Sequence, residues 1–241
     1  MSITLCFDFG NTRLKCAIFS GDQMQSIEVL PDDRPAAIRK LIKQWKPEWS
    51  ILSSVIEHDP RVDQLLEKKT RFHRLDHRSK FPVTTPVGKP ETIGADRLAL
   101  VVAAVELFPQ QHNLVIGLGT AVTYNFVDKY QAFLGGGISP GLGMRFRSLK
   151  EYTQKLPLIK PDWNFPLVGY DTRTNIQSGV ILGLAAEIDG MIGHYEARYT
   201  PLNALLCGGD ADFIGGFLKT RIFADPDLLF KGLLAISKHN R

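Results

Sequence analysis

The sequence predicts an α/β protein built as two similar halves, on three observations. The first is the stretch Phe7-Asp8-Phe9-Gly10-Asn11-Thr12-Arg13-Leu14-Lys15, entered by an apolar run over residues 3–7 and left by another over residues 14–19. Apolar runs of that length, bounded by turn residues, read as buried strands. Gly10 and Asn11 suit a tight hairpin because both tolerate positive φ. The second is a like stretch in the other half, Val115-Ile116-Gly117-Leu118-Gly119-Thr120-Ala121-Val122-Thr123-Tyr124. The third is that the strands of each half are followed by helical patterns, as in α/β folds. The first stretch alone fits an ordinary hairpin with a solvated Asp8 and Lys15. Its repetition points instead to a duplicated domain that grips one ligand between its copies. The turn chemistry suits a phosphate: backbone N–H groups at a Gly-rich turn cradle its oxygens. A carboxylate at the strand end can hold Mg²⁺ through water, and a Lys adds a positive charge.

In order along the chain, residues 1–30 read as three strands, the third over 25–30. Residues 36–45 place Ile38, Leu41, Ile42 and Trp45 at helical spacing, and Pro47 ends that helix. A strand over 49–56, a helix over 61–68 and a strand over 72–75 follow, then a Pro- and Thr-rich loop over 79–90. Glu91-Thr92-Ile93-Gly94-Ala95-Asp96-Arg97 opens an apolar helix over 98–108, with Thr92 as the expected N-cap. Asp96 in the first turn suits the helix dipole, whereas Arg97 opposes it and is better explained by an anionic or carboxylate partner. Residues 109–113 are the expected linker between domains 1–109 and 110–241. In the second half, strands are expected at 114–116 and 122–127. The run Gly135-Gly136-Gly137-Ile138-Ser139-Pro140-Gly141 implies close approach to a ligand or another backbone. Helices follow over 144–154 and 175–199. The longer one carries Gly179, Gly183, Ala186, Gly190 and Gly193 on a closely packed or dimeric seam. A strand over 204–206 leads into Gly208-Gly209-Asp210, a turn suited to a nucleotide, and a helix over 228–237 closes the chain.

Composition narrows the function. At 44% hydrophobic and 22% charged residues the chain is an ordinary globular one, and a net charge of +4 without a basic run gives no nucleic-acid arm. Cys6, Cys16 and Cys207 read as buried reduced thiols, and the immediate start into a strand argues against a signal peptide. The apolar window over 180–192 contains Glu187 and Asp189, so a membrane span is not expected. A cytoplasmic protein is the resulting expectation. No G-x-x-x-x-G-K-[ST], no G-x-G-x-x-G after the first strand, no H-E-x-x-H and no G-x-S-x-G occurs.

Five pieces in order over nearly the whole chain resemble the type III pantothenate kinases. They are Asp8 through Lys15, Gly94-Ala95-Asp96-Arg97, Gly119-Thr120-Ala121, Gly137-Ile138-Ser139-Pro140-Gly141, and Thr172 ahead of Ile176-Gln177-Ser178-Gly179. The resemblance implies two ribonuclease-H-like domains of the acetate kinase, sugar kinase, Hsp70 and actin superfamily. It implies phosphorylation of the 4′-hydroxyl of pantothenate by ATP, the first step of coenzyme A biosynthesis, with Mg²⁺, a monovalent cation (K⁺ or ammonium) and a homodimer. Carried over by residue, Asp8, Phe9, Gly10, Asn11, Thr12, Arg13, Leu14 and Lys15 form the first phosphate loop, with Asp8 near Mg²⁺ through water. Asp96 matches the catalytic base. Gly94, Ala95, Asp96 and Arg97 match the pantothenate segment, with Arg97 on the substrate carboxylate. Gly119 and Thr120 match the second loop, Thr172 a pantothenate contact near the dimer partner, and Gly208 and Gly209 the adenosine contacts.

Three positions depart from that pattern. Gly117 stands where the family has an Asp associated with the monovalent cation, Asn125 is neutral at a later acidic position, and Val87 stands where an aromatic Tyr packs against pantothenate. Two readings follow: a working kinase with a relaxed or rebuilt cation requirement, or a ligand-binding, weakly active or regulatory member of the fold. Asp8, Lys15 and Asp96 favour the first. Gly94-Ala95-Asp96-Arg97 speaks against a third reading, a kinase for a sugar or small acid.

Overall fold

The computed structural model describes residues 2–241. The chain forms two compact units, one running to Leu107 and joined by Leu228–Arg241, the other Phe108–Asp227.

In the first unit β1 (Ile3–Phe9), β2 (Leu14–Ser20) and β3 (Gln23–Leu30) form an antiparallel meander. Then come α1 (Pro35–Trp45), β4 (Trp49–Ser54), α2 (Arg61–Lys69) and β5 (Arg71–Arg74). β4 lies parallel to β1 and β5 parallel to β4, so the sheet order is β3-β2-β1-β4-β5. The alternation of β1 explains its two neighbours. Leu5, Phe7 and Phe9 face one side and pack with Ile38 and Leu41 of α1 and Val62 and Leu66 of α2. Thr4, Cys6 and Asp8 therefore face the other side. There the helix α3 (Ala95–Leu107) is buried on nearly every side, as expected of a helix that is apolar all round.

The second unit repeats the plan. β6 (His112–Leu118), β7 (Ala121–Val127) and β8 (Phe133–Pro140) form a meander, followed by α4 (Leu142–Glu151) and α5 (Thr172–Glu196). β9 (Leu202–Cys207) lies parallel to β6, and α6 (Ala211–Gly215) leads to β10 (Phe223–Ala224), giving the order β10-β9-β6-β7-β8. Each strand of the first sheet has its counterpart, β1 with β6, β2 with β7, β4 with β9. α5 is long and apolar enough by composition to cross a membrane. Ile176, Ile181, Leu184, Ile188 and Ile192 of it lie in the core of this unit against Tyr124, Phe126 and Leu206. The glycine run expected to approach a ligand or backbone is part of β8 and pairs with Tyr124, Asn125 and Phe126.

Three local expectations are corrected. Neither Gly10 nor Asn11 adopts positive φ; four residues, Gly10 to Arg13, separate the strands, and a connection of that length does not need a two-residue mirror-image turn. Thr92 is not the cap of α3: it sits in a short 3₁₀ turn, Pro90–Thr92, and its hydroxyl donates to the Lys89 carbonyl. The Gly94 carbonyl instead accepts the first N–H groups of the helix, from Arg97 and Leu98. The closing helix α7 (Leu228–His239), expected in the second domain, belongs to the first unit, where it lies against α3, β1 and β4. Its apolar side chains Leu228, Phe230, Leu233 and Ile236 are buried there. The contact is close: a Cβ at Gly232 would collide with the Ala99 backbone carbonyl. Gly232→Ala is therefore expected to lower stability by about 1–3 kcal/mol, the range of overpacked cores. Urea denaturation checks this, and an unchanged midpoint would show that α7 can move away.

Candidate active site

Asp8 is the next-to-last residue of β1. Its register partners are Lys15 across the hairpin on β2 and Ser53 on the parallel strand β4. Residues directly opposite in a ladder share a face, so carboxylate, ammonium and hydroxyl stand side by side on the face that α3 and α7 cover. The turn between β1 and β2 is closed by Gly10 N–H donating to the Arg13 carbonyl at 3.2 Å, while Asn11, Thr12 and Arg13 are exposed. Asp96 enters from the first turn of α3, half-buried, and its Oδ1 accepts from the Arg97 N–H at 2.9 Å. Gly94 and Ala95 precede it at the helix start. Val87 is half-buried in the loop before the 3₁₀ turn.

Electrostatics links the two carboxylates. Burial pushes the Asp8 carboxyl up to about 7; the Asp96 carboxylate adds to that rise and the Lys15 ammonium opposes it. Burial also raises Asp96 above the usual carboxylate range, against the Arg97 N–H and guanidinium. The first unit thus holds two acidic groups in a poorly solvated place, each harder to ionise than in water. Perturbed carboxylates of this kind cluster at functional sites.

The second unit has the same strand ends with different side chains. Gly117 occupies on β6 the place Asp8 has on β1, the next-to-last residue, and its register partners are Thr123 and Cys207. Asn125 is fully buried and its amide donates to the Val115 carbonyl and the Thr123 hydroxyl, both at 3.1 Å, so this neutral residue is a satisfied part of the core. Gly119 and Thr120 form the β6–β7 turn. Gly208 lies beside it with φ +99°, and a Cβ there would strike the Leu118 backbone; Asp210 N–H donates to the Leu118 carbonyl. Both turns assigned to the nucleotide in this half therefore meet at the end of β6.

Thr172 is the first residue of α5, after an Asp171 cap whose carboxylate accepts from the Thr174 N–H at 2.7 Å. It lines an open groove with Arg145, Asn175 and Ile176. Near this groove is a polar cluster that the sequence did not single out. Glu187 accepts from the Tyr124 hydroxyl at 2.9 Å and the Ser139 hydroxyl at 2.6 Å, and forms an ion pair with Arg145. Burial works against its charge, but the hydrogen bonds from Ser139, Arg145 and Tyr124 outweigh it and hold the carboxyl below its usual range. The sequence signal was there: a carboxylate within an apolar helix needs a partner.

Mg²⁺ fits the first unit better than the second. Hard cations take oxygen ligands and Mg²⁺ is commonly held by one or two carboxylates plus water and phosphate. Asp8 supplies a carboxylate at a strand end, beside the buried Ser53 hydroxyl, which has no hydrogen-bond partner among the described residues. The corresponding Gly117 supplies no side-chain oxygen. Asp8 would hold the cation on this donor set.

The raised Asp8 gives a signed expectation. A carboxyl with a folded pKa of about 7 against an ordinary 3.8 holds its proton more tightly in the folded state. Its contribution makes the metal-free protein less stable as pH rises from about 4 to about 7 and flat beyond. Asp8→Asn removes that loss, so its stability advantage over the wild type should be larger at pH 8 than at pH 5. Urea midpoints at the two pH values check this, and a pH-independent difference would contradict it.

Known proteins match this architecture. A family model described as Type III pantothenate kinase matches residues 4–194. A protein of Phocaeicola vulgatus named Type III pantothenate kinase is 38% identical over 241 residues, covering 99% of each chain. Among solved structures, component A of the (R)-2-hydroxyglutaryl-CoA dehydratase of Acidaminococcus fermentans aligns with a TM-score of 0.56 at 15% identity, over 100% of this chain and 98% of that one. The ROK hexokinase of Thermus thermophilus aligns at 0.52 and 12% identity, over 98% of both. These two show the fold alone, the duplicated ribonuclease-H-like arrangement. On the sequence matches, the chain belongs to the type III pantothenate kinase family.

Proposed function

We propose that this protein transfers the γ-phosphoryl group of ATP to the 4′-hydroxyl of pantothenate, the first step of coenzyme A biosynthesis, with Asp96 as general base. The observation that carries this reading is the placement of Asp96 in the electrostatic reach of Asp8, which stands opposite Lys15 in the β1–β2 ladder. A primary alcohol does not ionise at neutral pH, so its proton must leave as the new bond forms. Asp96 takes that proton while the oxygen–phosphorus bond forms and the bond to the bridging oxygen of ADP breaks; such help is worth about 10²- to 10⁴-fold. A carboxylate of raised pKa is a stronger base than an ordinary one, and the Arg97 N–H fixes its orientation. Arg97 pairs with the pantothenate carboxylate, and Gly94 and Ala95 let the substrate approach the backbone. Lys15 and the turn from Phe9 to Leu14 hold phosphate oxygens, as do Gly119 and Thr120; Gly208 and Gly209 take the adenosine. Asp8 would hold and orient Mg²⁺, which when bound would neutralise charge on the phosphates.

The protein acts in the cytoplasm, where both substrates are present, and as a homodimer to which Thr172 contributes near the partner. Supporting the dimer, Leu167, Val168 and Tyr170 are each about four-fifths exposed just ahead of Thr172. Along α5, Gly179, Gly183, Gly190 and Gly193 each have open space where a Cβ would stand. The small-residue seam therefore has no close partner within the described residues, and a second copy would cover it.

Asp96→Asn is expected to lower kcat at least a hundredfold while leaving the thermal midpoint near that of the wild type; a folded variant with near-normal turnover would overturn the base assignment. The neutral Gly117 and the satisfied Asn125 leave no carboxylate for a monovalent cation at those two positions. Turnover should accordingly depend less on K⁺ than the family pattern implies when K⁺ and Na⁺ buffers of equal ionic strength are compared, and a strong requirement for K⁺ would show that other oxygens hold it.

A further inference from the structure

β4 carries three serines, and they differ. Ser50 shares a 2.6 Å hydrogen bond with the Thr70 hydroxyl, and Ser54 donates to the Ile56 carbonyl at 2.9 Å. Ser53 is fully buried and its hydroxyl has no partner among the described residues. Other buried side-chain atoms share that state, on Ser26, Trp45 and Gln177. Ser53 alone is the register partner of a proposed site residue, Asp8. A buried hydroxyl without a partner is destabilising, and such a group asks for an explanation.

The pairing supplies one. Neighbouring strands lie about 4.8 Å apart, and Asp8 and Ser53 point to one face. A hydroxyl beside a carboxylate at that spacing can reach it by a change of rotamer. We infer that Ser53 is a positioning residue for Asp8: its hydroxyl donates to the Asp8 carboxylate when that group holds the divalent cation, fixing which oxygen faces the metal. The inference rests on Asp8 as the metal-side carboxylate. Lys15 then flanks Asp8 on β2 and Ser53 flanks it on β4, one by charge and one by a directed hydrogen bond. Hydrogen bonds from outside the metal's own ligands orient those ligands, and their loss typically weakens metal affinity about 10- to 100-fold.

The test uses Mn²⁺ as a spectroscopic stand-in for Mg²⁺, titrated into the full-length protein with ADP and followed by electron paramagnetic resonance, so that no turnover is needed. Ser53→Ala should raise the Mn²⁺ dissociation constant about tenfold, while its ligand-free melting temperature stays equal to or above that of the wild type, because an unpartnered hydroxyl has been removed. Ser53→Cys, of similar size with a weak S–H donor, should fall between the two. In kinetics, the Mg²⁺ concentration for half-maximal rate should rise while the KM for pantothenate stays constant. Asp8→Asn separates the two layers of the argument. If Asp8→Asn leaves Mn²⁺ binding intact, the metal assignment of Asp8 fails and the inference with it. If Asp8→Asn weakens binding and Ser53→Ala does not, Ser53 has no part in holding the metal. A lower ligand-free melting temperature in Ser53→Ala would mean that the hydroxyl is already satisfied in the resting protein.

Discussion

The site depends on one constraint: two carboxylates, Asp8 and Asp96, share a poorly solvated place at the end of a sheet. Burial makes each costly to ionise, and the charge of Asp96 makes Asp8 more so. An arrangement of this kind is tolerable only with compensation. Lys15 provides part of it, and the Arg97 N–H and guanidinium another part. A divalent cation on Asp8 would provide the rest, which links the stability of the ligand-free fold to the chemistry of phosphoryl transfer. β1 delivers Asp8, α3 delivers Asp96, and α7 seals the face through the Gly232–Ala99 contact.

Duplication has produced two sheets of one plan with one acidic strand end. The burial of β1 and β6 follows the same sequence residue by residue, so Asp8 and Gly117 are equivalent positions. Where the first unit has carboxylate, ammonium and hydroxyl in a row, the second has glycine flanked by Thr123 and Cys207. On the proposed reading, that asymmetry places the metal chemistry in the first unit and leaves the second with backbone turns. A partly buried charge network around Glu187 ties β7, β8, α4 and α5 together near the groove that Thr172 lines.

Much of this was legible in the sequence, and the exceptions have physical reasons. The two hairpins, the apolar helix after Asp96 and the Gly208-Gly209 turn were readable because periodicity and turn residues are local signals. The home of α7 was not: an amphipathic helix shows that it has a buried face but not which sheet receives it. Gly232 marked a close approach without naming its neighbour. Thr92 looked like a cap because a hydroxyl three or four residues before a helix is compatible with several turn geometries, and the chain chose the 3₁₀ turn. Ser53 was invisible, since a serine within an apolar strand has no pattern. Its state is defined only by register with Asp8. The proposed site residues rest largely on motif resemblance, because Asp8 and Asp96 are eighty-eight positions apart and no local pattern connects them.

The most direct test of the account is to identify the product. Purified protein is incubated with Mg²⁺, ATP and pantothenate, and the mixture is analysed by mass spectrometry and phosphorus NMR. The account predicts 4′-phosphopantothenate and ADP in equal amounts, with ADP release dependent on pantothenate. Release of ADP and inorganic phosphate without pantothenate dependence, or phosphorylation of a sugar in its place, would contradict it.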